Sequence, residues 1–232
     1  MRRPVAALVA VGCALIGAGM VWGWLQGANP SPRDRAIAAW GVESGGHIVA
    51  FGTSLTAGNG WPDRVQARLA ACLGTDIALS RVAEPGQGSA WALIQVPRVV
   101  ALAPDIVLIE FAINDADLRD GVSRAQSLAQ HRALIAALRA DLPDAVLVLM
   151  TMSPAYRMRG ALRPFLPGHY ADVAALAVDE DLGLIDLYPR WRSTDLPHPS
   201  DGLHPDDAAT AQVIDPVLVQ ALAQGRSETC PP

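Results

Sequence analysis

The 232-residue sequence contains no lysine, so its 18 basic residues are all arginine, and they are outnumbered by 23 acidic residues. The net charge is −5 at pH 7, and no dense basic block of the kind that binds nucleic acids is present. Charged residues make up only 18% of the chain and hydrophobic residues 51%. This composition differs from that of disordered chains and is sufficient for one domain with a full core. We therefore expect a folded domain and no nucleic-acid partner.

Cysteine is also scarce, with Cys13 in the apolar N-terminus and Cys72 and Cys230 beyond it. The cysteines and the five histidines form no HxxxH or CxxC pair, which are the common metal-binding spacings. The sequence thus predicts no metal and no cofactor. Cys72 and Cys230 either remain thiols or join the C-terminal tail to the first helix of the domain by a disulfide, and cysteine spacing alone does not decide between these.

The longest hydrophobic run is at the N-terminus, where residues 5–25 carry no charge and follow two arginines. This run is long enough to span a bilayer. It predicts either a cleaved signal peptide or a retained anchor. Trp22 and Trp24 at its end favour the anchor, because tryptophan concentrates at membrane interfaces. Residues 1–25 are therefore interpreted as a signal peptide or hydrophobic anchor helix, with the remainder on the periplasmic or extracellular face.

The remaining chain divides into a linker over 26–46, a domain over 47–224 and a tail over 225–232. A short helix is predicted in the linker at 33–40, and a last helix that closes the domain is predicted over 208–222. Apolar strands alternate with amphipathic helices in the domain, and continuously apolar strands are typical of a parallel sheet covered on both faces. The pattern predicts a three-layer α/β sandwich with a flavodoxin-like sheet of about five strands, over 47–51, 76–82, 106–111, 146–150 and 184–187. In such sheets the functional site lies at the carboxyl ends of the strands.

A serine and a histidine stand where nucleophilic catalysis would need them. Ser54 follows the first strand, and Gly52 before it leaves room for the hydroxyl to project at the sheet edge; a plain turn with a serine helix cap is the alternative. His204 can accept the Ser54 proton while Asp201 holds the other ring nitrogen. His198 is a weaker candidate base because it lacks the Asp-Gly-x setting that precedes His204.

Two further segments offer hydrogen-bond donors to a developing oxyanion. Asn114 follows the strongest predicted strand, and its amide can reach the sheet edge. Gly86 follows the second strand and can offer an unobstructed backbone N–H, with Gly88 as a second choice. Ordinary turn chemistry is the alternative for each of these segments.

The Pro/Gly/Arg-rich loop over 152–168 carries Arg157, Arg159 and Arg163. A loop of this length can serve as a lid over a pocket. Its arginines would then meet an anionic substrate, and the alternative is a solvated loop.

Four of these segments together resemble the conserved blocks of the SGNH (GDSL-like) hydrolases. They are Gly52–Thr56, the segment around Gly86, Ala112–Asp115 and Asp201–Pro205. The resemblance extends over about residues 47–222. Two features depart from the family pattern: Ala112 stands where a glycine is usual, and no asparagine precedes Gly86.

The resemblance implies the fold described above and a role for each matching residue. Ser54 would be the nucleophile, His204 the general base and Asp201 the residue that orients it. The oxyanion hole would consist of the Ser54 N–H, the Gly86 N–H and the Asn114 side chain.

The resemblance also implies a serine esterase that acts on an acylated small molecule or glycan. Because export is predicted, we expect removal of O-acyl groups, acetyl above all, from envelope or exported polysaccharide, with the membrane contacted through residues 5–25. Three alternatives stay open: an O-acyltransferase on glycans, a lipase or thioesterase on lipid esters, and, least favoured, a non-catalytic glycan-binding protein. The oligomeric state stays open as well.

Overall fold

The computed structural model describes residues 31–41 and 45–230, and the described residues from Pro32 onward belong to one compact unit. The predicted signal peptide or anchor over 1–25 and the first residues of the predicted linker lie outside the described residues. Within the described part of the chain, no helix is both long and apolar enough to span a membrane.

A five-stranded, all-parallel sheet forms the centre of the domain. The strands are β1 (Gly45–Gly52), β2 (Asp76–Ala83), β3 (Ile106–Glu110), β4 (Val146–Thr151) and β5 (Gly183–Asp186). Their spatial order, β2-β1-β3-β4-β5, is that of flavodoxin-like folds, so the predicted sheet is confirmed. The inner strand β3 is fully buried, because helices cover both faces of a sheet built in this way.

Helices occupy the connections between the strands. They are α1 (Ser54–Ala57), α2 (Trp61–Leu73), α3 (Ser89–Val100), α4 (Ala112–Asp115), α5 (Arg124–Asp141), α6 (Arg157–Ala161), α7 (Leu166–Asp179), α8 (Leu187–Arg192), α9 (Asp207–Val213) and α10 (Asp215–Gln224). The long helices pack as two groups, α2 with α10 and α3 with α5 and α7. Local signals fix their ends: the hydroxyl of Ser123 caps α5, and α2 stops at Gly74, which adopts a left-handed conformation with φ of 64°.

The helix predicted over 33–40 is wrong, because this segment forms no helix and pairs with β5 at Arg35. Arg35 pairs with Leu184 of β5 through two backbone hydrogen bonds of 3.0 and 3.2 Å. Ile37 and Trp40 are buried. The open edge of β5 supplies backbone partners that an isolated helix would not have, and such tertiary contacts override weak local propensity.

Two other elements differ from the predicted pattern. The loop expected over 152–168 contains the short helix α6 and the start of α7. The last helix, expected over 208–222, is divided into α9 and α10 at Ile214. Pro216 explains the division, because it has no N–H with which to continue the helical hydrogen-bond ladder.

Cys72 and Cys230 form a disulfide, with their Cα atoms 5.7 Å apart. The bond joins the end of α2 to the C-terminal tail. The alternative of two free thiols, which the sequence left open, is thereby excluded.

Candidate active site

The carboxyl ends of three neighbouring strands carry the predicted site segments. Ser54 follows β1, Gly86 follows β2, and Asn114 follows β3. These strands lie side by side in the order β2-β1-β3. The topology therefore brings the three segments to one edge of the sheet, as predicted.

Ser54 is the first residue of α1, and a tight turn presents it at the surface. Thr53 caps this helix, with its hydroxyl oxygen accepting a 3.2 Å hydrogen bond from the Leu55 N–H. A Cβ atom on Gly52 would lie 2.2 Å from a carboxyl oxygen of Glu110, so only glycine fits before the turn. Ser54 is partly exposed, which leaves its hydroxyl accessible to a substrate.

His204 connects Ser54 to Asp201 through its two ring nitrogens. Its Nε2 lies 2.8 Å from the Ser54 hydroxyl, and its Nδ1 lies 2.5 Å from Asp201 Oδ2. Because a carboxylate only accepts hydrogen bonds, Nδ1 carries the proton and Nε2 is left to accept the serine proton. The three residues thus have the geometry of a catalytic triad.

The Asp201 carboxylate is held in its charged form by the turn that it caps. Its Oδ1 accepts 2.9 Å hydrogen bonds from the backbone N–H groups of Leu203 and His204. Burial opposes the charge, but these hydrogen bonds and the His204 ring hold the pKa of Asp201 well below its usual range. The lowered pKa keeps the carboxylate ionised at neutral pH, where it can keep the His204 tautomer fixed.

Asn59 joins the segment after Ser54 to the loop that bears His204. Its side-chain amide donates a 3.1 Å hydrogen bond to the Pro205 carbonyl, and its oxygen accepts from the Thr210 hydroxyl at 2.9 Å. The sequence patterns did not single out Asn59, because its partners lie about 150 residues away.

The predicted oxyanion donors lie next to one another. The Asn114 amide donates a 2.9 Å hydrogen bond to the carbonyl of Gln87, the residue after Gly86. Gly86 has φ of +76°, a conformation that favours glycine. Among the described residues, neither the Ser54 N–H nor the Gly86 N–H donates to an acceptor of the protein, so both remain available to a ligand. The second choice, Gly88, instead precedes α3 and faces Asp115.

Asp115 holds the Gly86 segment against the Asn114 segment. Its carboxylate accepts hydrogen bonds from the backbone N–H of Ser89 at 2.8 Å and from the hydroxyls of Ser89 and Ser127 at 2.7 and 2.6 Å. A Cβ atom on Gly88 would lie 2.4 Å from this carboxylate. The side chain thus fixes the start of α3 relative to α4.

Glu110, the last residue of β3, is a second buried carboxyl group beneath the site. No role was predicted for it from the sequence. Its Oε1 accepts hydrogen bonds from the Thr53 N–H at 2.6 Å and from the Thr56 hydroxyl at 2.7 Å. Burial raises the pKa of Glu110 to about 7, although these hydrogen bonds lower it. Glu110 therefore supports the turn that carries Ser54. A charged residue at the end of an otherwise apolar strand was the available signal.

The three arginines of the loop over 152–168 differ in burial, with Arg157 exposed, Arg159 partly exposed and Arg163 buried, so the loop is not solvated along its whole length. Arg163 is 4% exposed and forms an ion pair with the buried Asp117. Arg157 lies at the surface and donates a 2.9 Å hydrogen bond to the Ser200 carbonyl, close to Asp201. The loop thus packs against both sides of the site.

His198 occupies a different position from His204. Its ring stacks on Tyr156 with centroids 3.6 Å apart. In the described part of the chain, Ser54 hydrogen-bonds to the ring of His204 and no hydrogen bond joins it to His198. The geometry thus favours His204 over His198 as the partner of Ser54.

A parallel α/β sheet with a serine, a histidine and an aspartate linked at its carboxyl edge defines a class of serine hydrolases. The model of the GDSL-like lipase/acylhydrolase family matches residues 50–211, and the chain belongs to this family, whose members are ester-hydrolysing enzymes. The resemblance seen in the sequence is thereby confirmed. No curated protein matches the chain.

Several solved structures are similar to this chain in fold. A lipase/acylhydrolase from Enterococcus faecalis is 26% identical, with a TM-score of 0.67 over 78% of this chain and 96% of that one. An acetylxylan esterase from Geobacillus stearothermophilus, solved as a catalytic mutant, is 20% identical, with a TM-score of 0.65 over 81% and 96%. A GDSL-like lipase from Bacteroides thetaiotaomicron is 17% identical, with a TM-score of 0.61 over 77% and 88%. The last two, at these identities, are similar in fold.

Proposed function

We propose that this protein is an exported serine ester hydrolase that removes O-acyl groups, acetyl above all, from envelope or exported polysaccharide. The observation that carries the proposal is the continuous Ser54–His204–Asp201 chain of hydrogen bonds, with separations of 2.8 and 2.5 Å. In the proposed mechanism Ser54 attacks the ester carbonyl while His204 takes its proton. The same histidine then protonates the departing alcohol, and water releases the acid from the acyl-enzyme.

The oxyanion of the tetrahedral intermediate needs donors that are already in place. The N–H groups of Ser54 and Gly86 and the Asn114 amide fill this role in the proposal. The first two have no acceptor among the described residues, and the third is fixed by its bond to Gln87. Donors held in position before the reaction stabilise the developing charge without a cost of reorganisation.

A bulky alcohol suits a site whose base lies at the surface. The side chains of His204 and Asp201 are 41% and 43% exposed, so an ester on a polymer can reach Ser54 without the polymer entering the protein. The similarity in fold to an acetylxylan esterase agrees with an acetylated glycan as substrate. A lipid ester with a long acyl chain, which would need an extended apolar cleft, is the second candidate substrate.

The proposed location outside the cytoplasmic membrane rests on two features. The uncharged N-terminal run over residues 5–25 is typical of an anchor or signal peptide. The Cys72–Cys230 disulfide is typical of oxidising compartments such as the periplasm. The test is a fusion in which the N-terminal segment of the chain precedes a reporter that folds only in the periplasm. Activity of this reporter would support export, and activity of a cytoplasmic reporter in its place would refute it.

The substrate is tested with the purified full-length protein in detergent and a series of p-nitrophenyl esters from acetate to palmitate. Acetate release from an acetylated oligosaccharide is measured beside it, with Ser54→Ala as the matched control. We expect Ser54-dependent release and a preference for the shortest acyl group. A preference for palmitate would replace the glycan with a lipid substrate. Transfer of acetyl to a glycan acceptor without net release would replace hydrolysis with acyl transfer.

A further inference from the structure

Arg163 is a buried cation that contacts the segment bearing Asn114. Its Nε donates a 2.8 Å hydrogen bond to the Ile113 carbonyl, and its Nη1 donates to the Arg159 carbonyl at 3.3 Å. Its Nη2 lies 2.9 Å from Asp117 Oδ2 and 3.4 Å from Asn114 Oδ1. One guanidinium thus holds both the backbone before Asn114 and the oxygen of its side chain.

The two neighbours of the Asn114 amide leave it one orientation. Arginine can only donate hydrogen bonds, so the group that faces Arg163 must be the amide oxygen. A carbonyl can only accept them, so the group that faces Gln87, at 2.9 Å, must be the NH₂. A flipped amide would place its NH₂ against the guanidinium and its oxygen against the Gln87 carbonyl, and both contacts would be repulsive.

We propose that Arg163 is a positioning residue for ester hydrolysis, which fixes the Asn114 amide with its NH₂ group toward the oxyanion. The inference rests on the proposed role of Asn114 as an oxyanion donor. If the amide turned over, it would present an oxygen to the negative charge instead of a donor. The 3.4 Å contact with Asn114 Oδ1 is longer than the usual range for a hydrogen bond, and the 2.8 Å bond to the Ile113 carbonyl holds the guanidinium beside the amide.

The charge on Arg163 adds to this effect. A cation beside the amide oxygen draws electron density from the NH₂ group and strengthens its donated hydrogen bond, since hydrogen bonds in a chain polarise one another. Burial lowers the pKa of Arg163, and Asp117 opposes this. Arginine nevertheless remains protonated in proteins, so the charge is present throughout the reaction.

Arg119 supplies a matched control, because Asp117 pairs with both Arg119 and Arg163 and the two arginines differ in burial. Arg119 lies 2.7 Å from Asp117 Oδ2 and its side chain is 56% exposed, whereas the side chain of Arg163 is 3% exposed. The hydrogen bonds of the Arg119 side chain go to Asp117. Arg119→Gln therefore removes a cation from the same carboxylate without touching the Asn114 segment.

The test is a double-mutant cycle on the full-length protein that combines Arg163→Met with Asn114→Ala, measured as kcat and KM on the best ester. In the otherwise unaltered protein we expect Arg163→Met to lower kcat by about 10- to 100-fold with little change in KM, because the full worth of one oxyanion donor sets the upper limit. In the Asn114→Ala background the same substitution should have almost no effect on kcat. Arg119→Gln should leave kcat nearly unchanged, because Asp117 keeps its ion pair with Arg163 and, among the described residues, the hydrogen bonds of the Arg119 side chain go to Asp117 alone.

An equal loss in both backgrounds would show that Arg163 serves the fold in general and would overturn the inference, as would no loss in either. If Asn114→Ala itself left kcat unchanged, the proposed oxyanion role would fail first, and Ser54→Ala would still report whether the serine mechanism holds. Arg163→Lys keeps the charge but loses the planar fork, so it guards against a methionine variant that does not fold. Its loss in kcat should be smaller and should also vanish without Asn114.

Discussion

The reacting residues and the residues beneath them are held in contrasting ways. His204 and Asp201 lie at the surface with side chains more than 40% exposed, and the bonds between them span three positions of one turn. Glu110, Asp115 and Arg163 are at most 4% exposed, and each bonds to segments distant in the sequence. An exposed group can be removed at little cost to folding, whereas a buried charge that loses its partner is strongly destabilising. Substitutions of the exposed residues should therefore lower activity with little loss of stability, whereas substitutions of the buried residues should lower stability as well.

The largest expected effect is on activity alone. His204→Ala or Ser54→Ala should lower kcat by about 10⁴- to 10⁶-fold, the usual scale for the loss of a triad nucleophile or base, while the midpoint of thermal unfolding stays close to that of the parent protein. Steady-state kinetics and calorimetry on the same preparations measure both quantities. A large drop in unfolding temperature would contradict the proposed contrast between the exposed reacting residues and the buried residues beneath them.

Asn114 belongs to both groups, because it is a proposed oxyanion donor and its side chain is buried. Asn114→Ala should lower kcat by about 10²- to 10³-fold, because it removes one oxyanion donor. KM should change little, since the interaction forms chiefly in the transition state. The kcat and KM of the variant on a short-chain ester provide the measurement. A rise in KM at constant kcat would instead assign Asn114 to substrate binding.

Glu110→Gln should change the dependence of stability on pH. Because the pKa of Glu110 is raised to about 7 in the folded protein, the fold holds a proton that the unfolded chain releases near its ordinary value. The free energy of unfolding therefore falls as pH rises from about 4.5 to 7, by on the order of 3 kcal/mol from this group. Glutamine cannot titrate, so this contribution should vanish. Urea unfolding of both proteins across that range tests the difference, and parallel pH profiles would contradict it.

The smallest expected effect is that of His198→Ala. Its ring stacks on Tyr156 and is no hydrogen-bond partner of Ser54 in the described residues, so kcat should change little. The comparison with His204→Ala is direct, because both variants remove an imidazole from the same loop. A loss as large as that of His204→Ala would transfer the role of base to His198.

The same contrast between the reacting residues and the buried residues beneath them explains which parts of the fold and the site could be predicted from the sequence. Apolar strands separated by helices predicted a parallel sheet of about five strands, since each strand carries its own pattern. The positions of Ser54, Asn114 and His204 could be read because each lies in a short segment next to a strand or in the turn that also contains Asp201. These signals are local in the sequence, so they can be recognised without knowledge of the fold.

The supporting residues had no such signal. Arg163 contacts Ile113 across 50 positions, and Glu110 contacts Thr53 across 57. Only the folded chain brings these groups together, so nothing in the loop around Arg163 distinguishes it from Arg157. The segment over 33–40 was mispredicted for the same reason, because its partner Leu184 lies at the far end of the sequence.

The most direct test of the central claim is covalent labelling of Ser54 by a fluorophosphonate, which reacts with serines activated by a general base. The chain lacks lysine, so trypsin cuts only at arginine and yields one peptide, Ala36–Arg64, that contains Ser54. The account predicts one adduct in this peptide, localised to Ser54 by fragment ions, and its near-complete loss in His204→Ala. An adduct on another serine, or labelling at an unchanged rate without His204, would contradict it.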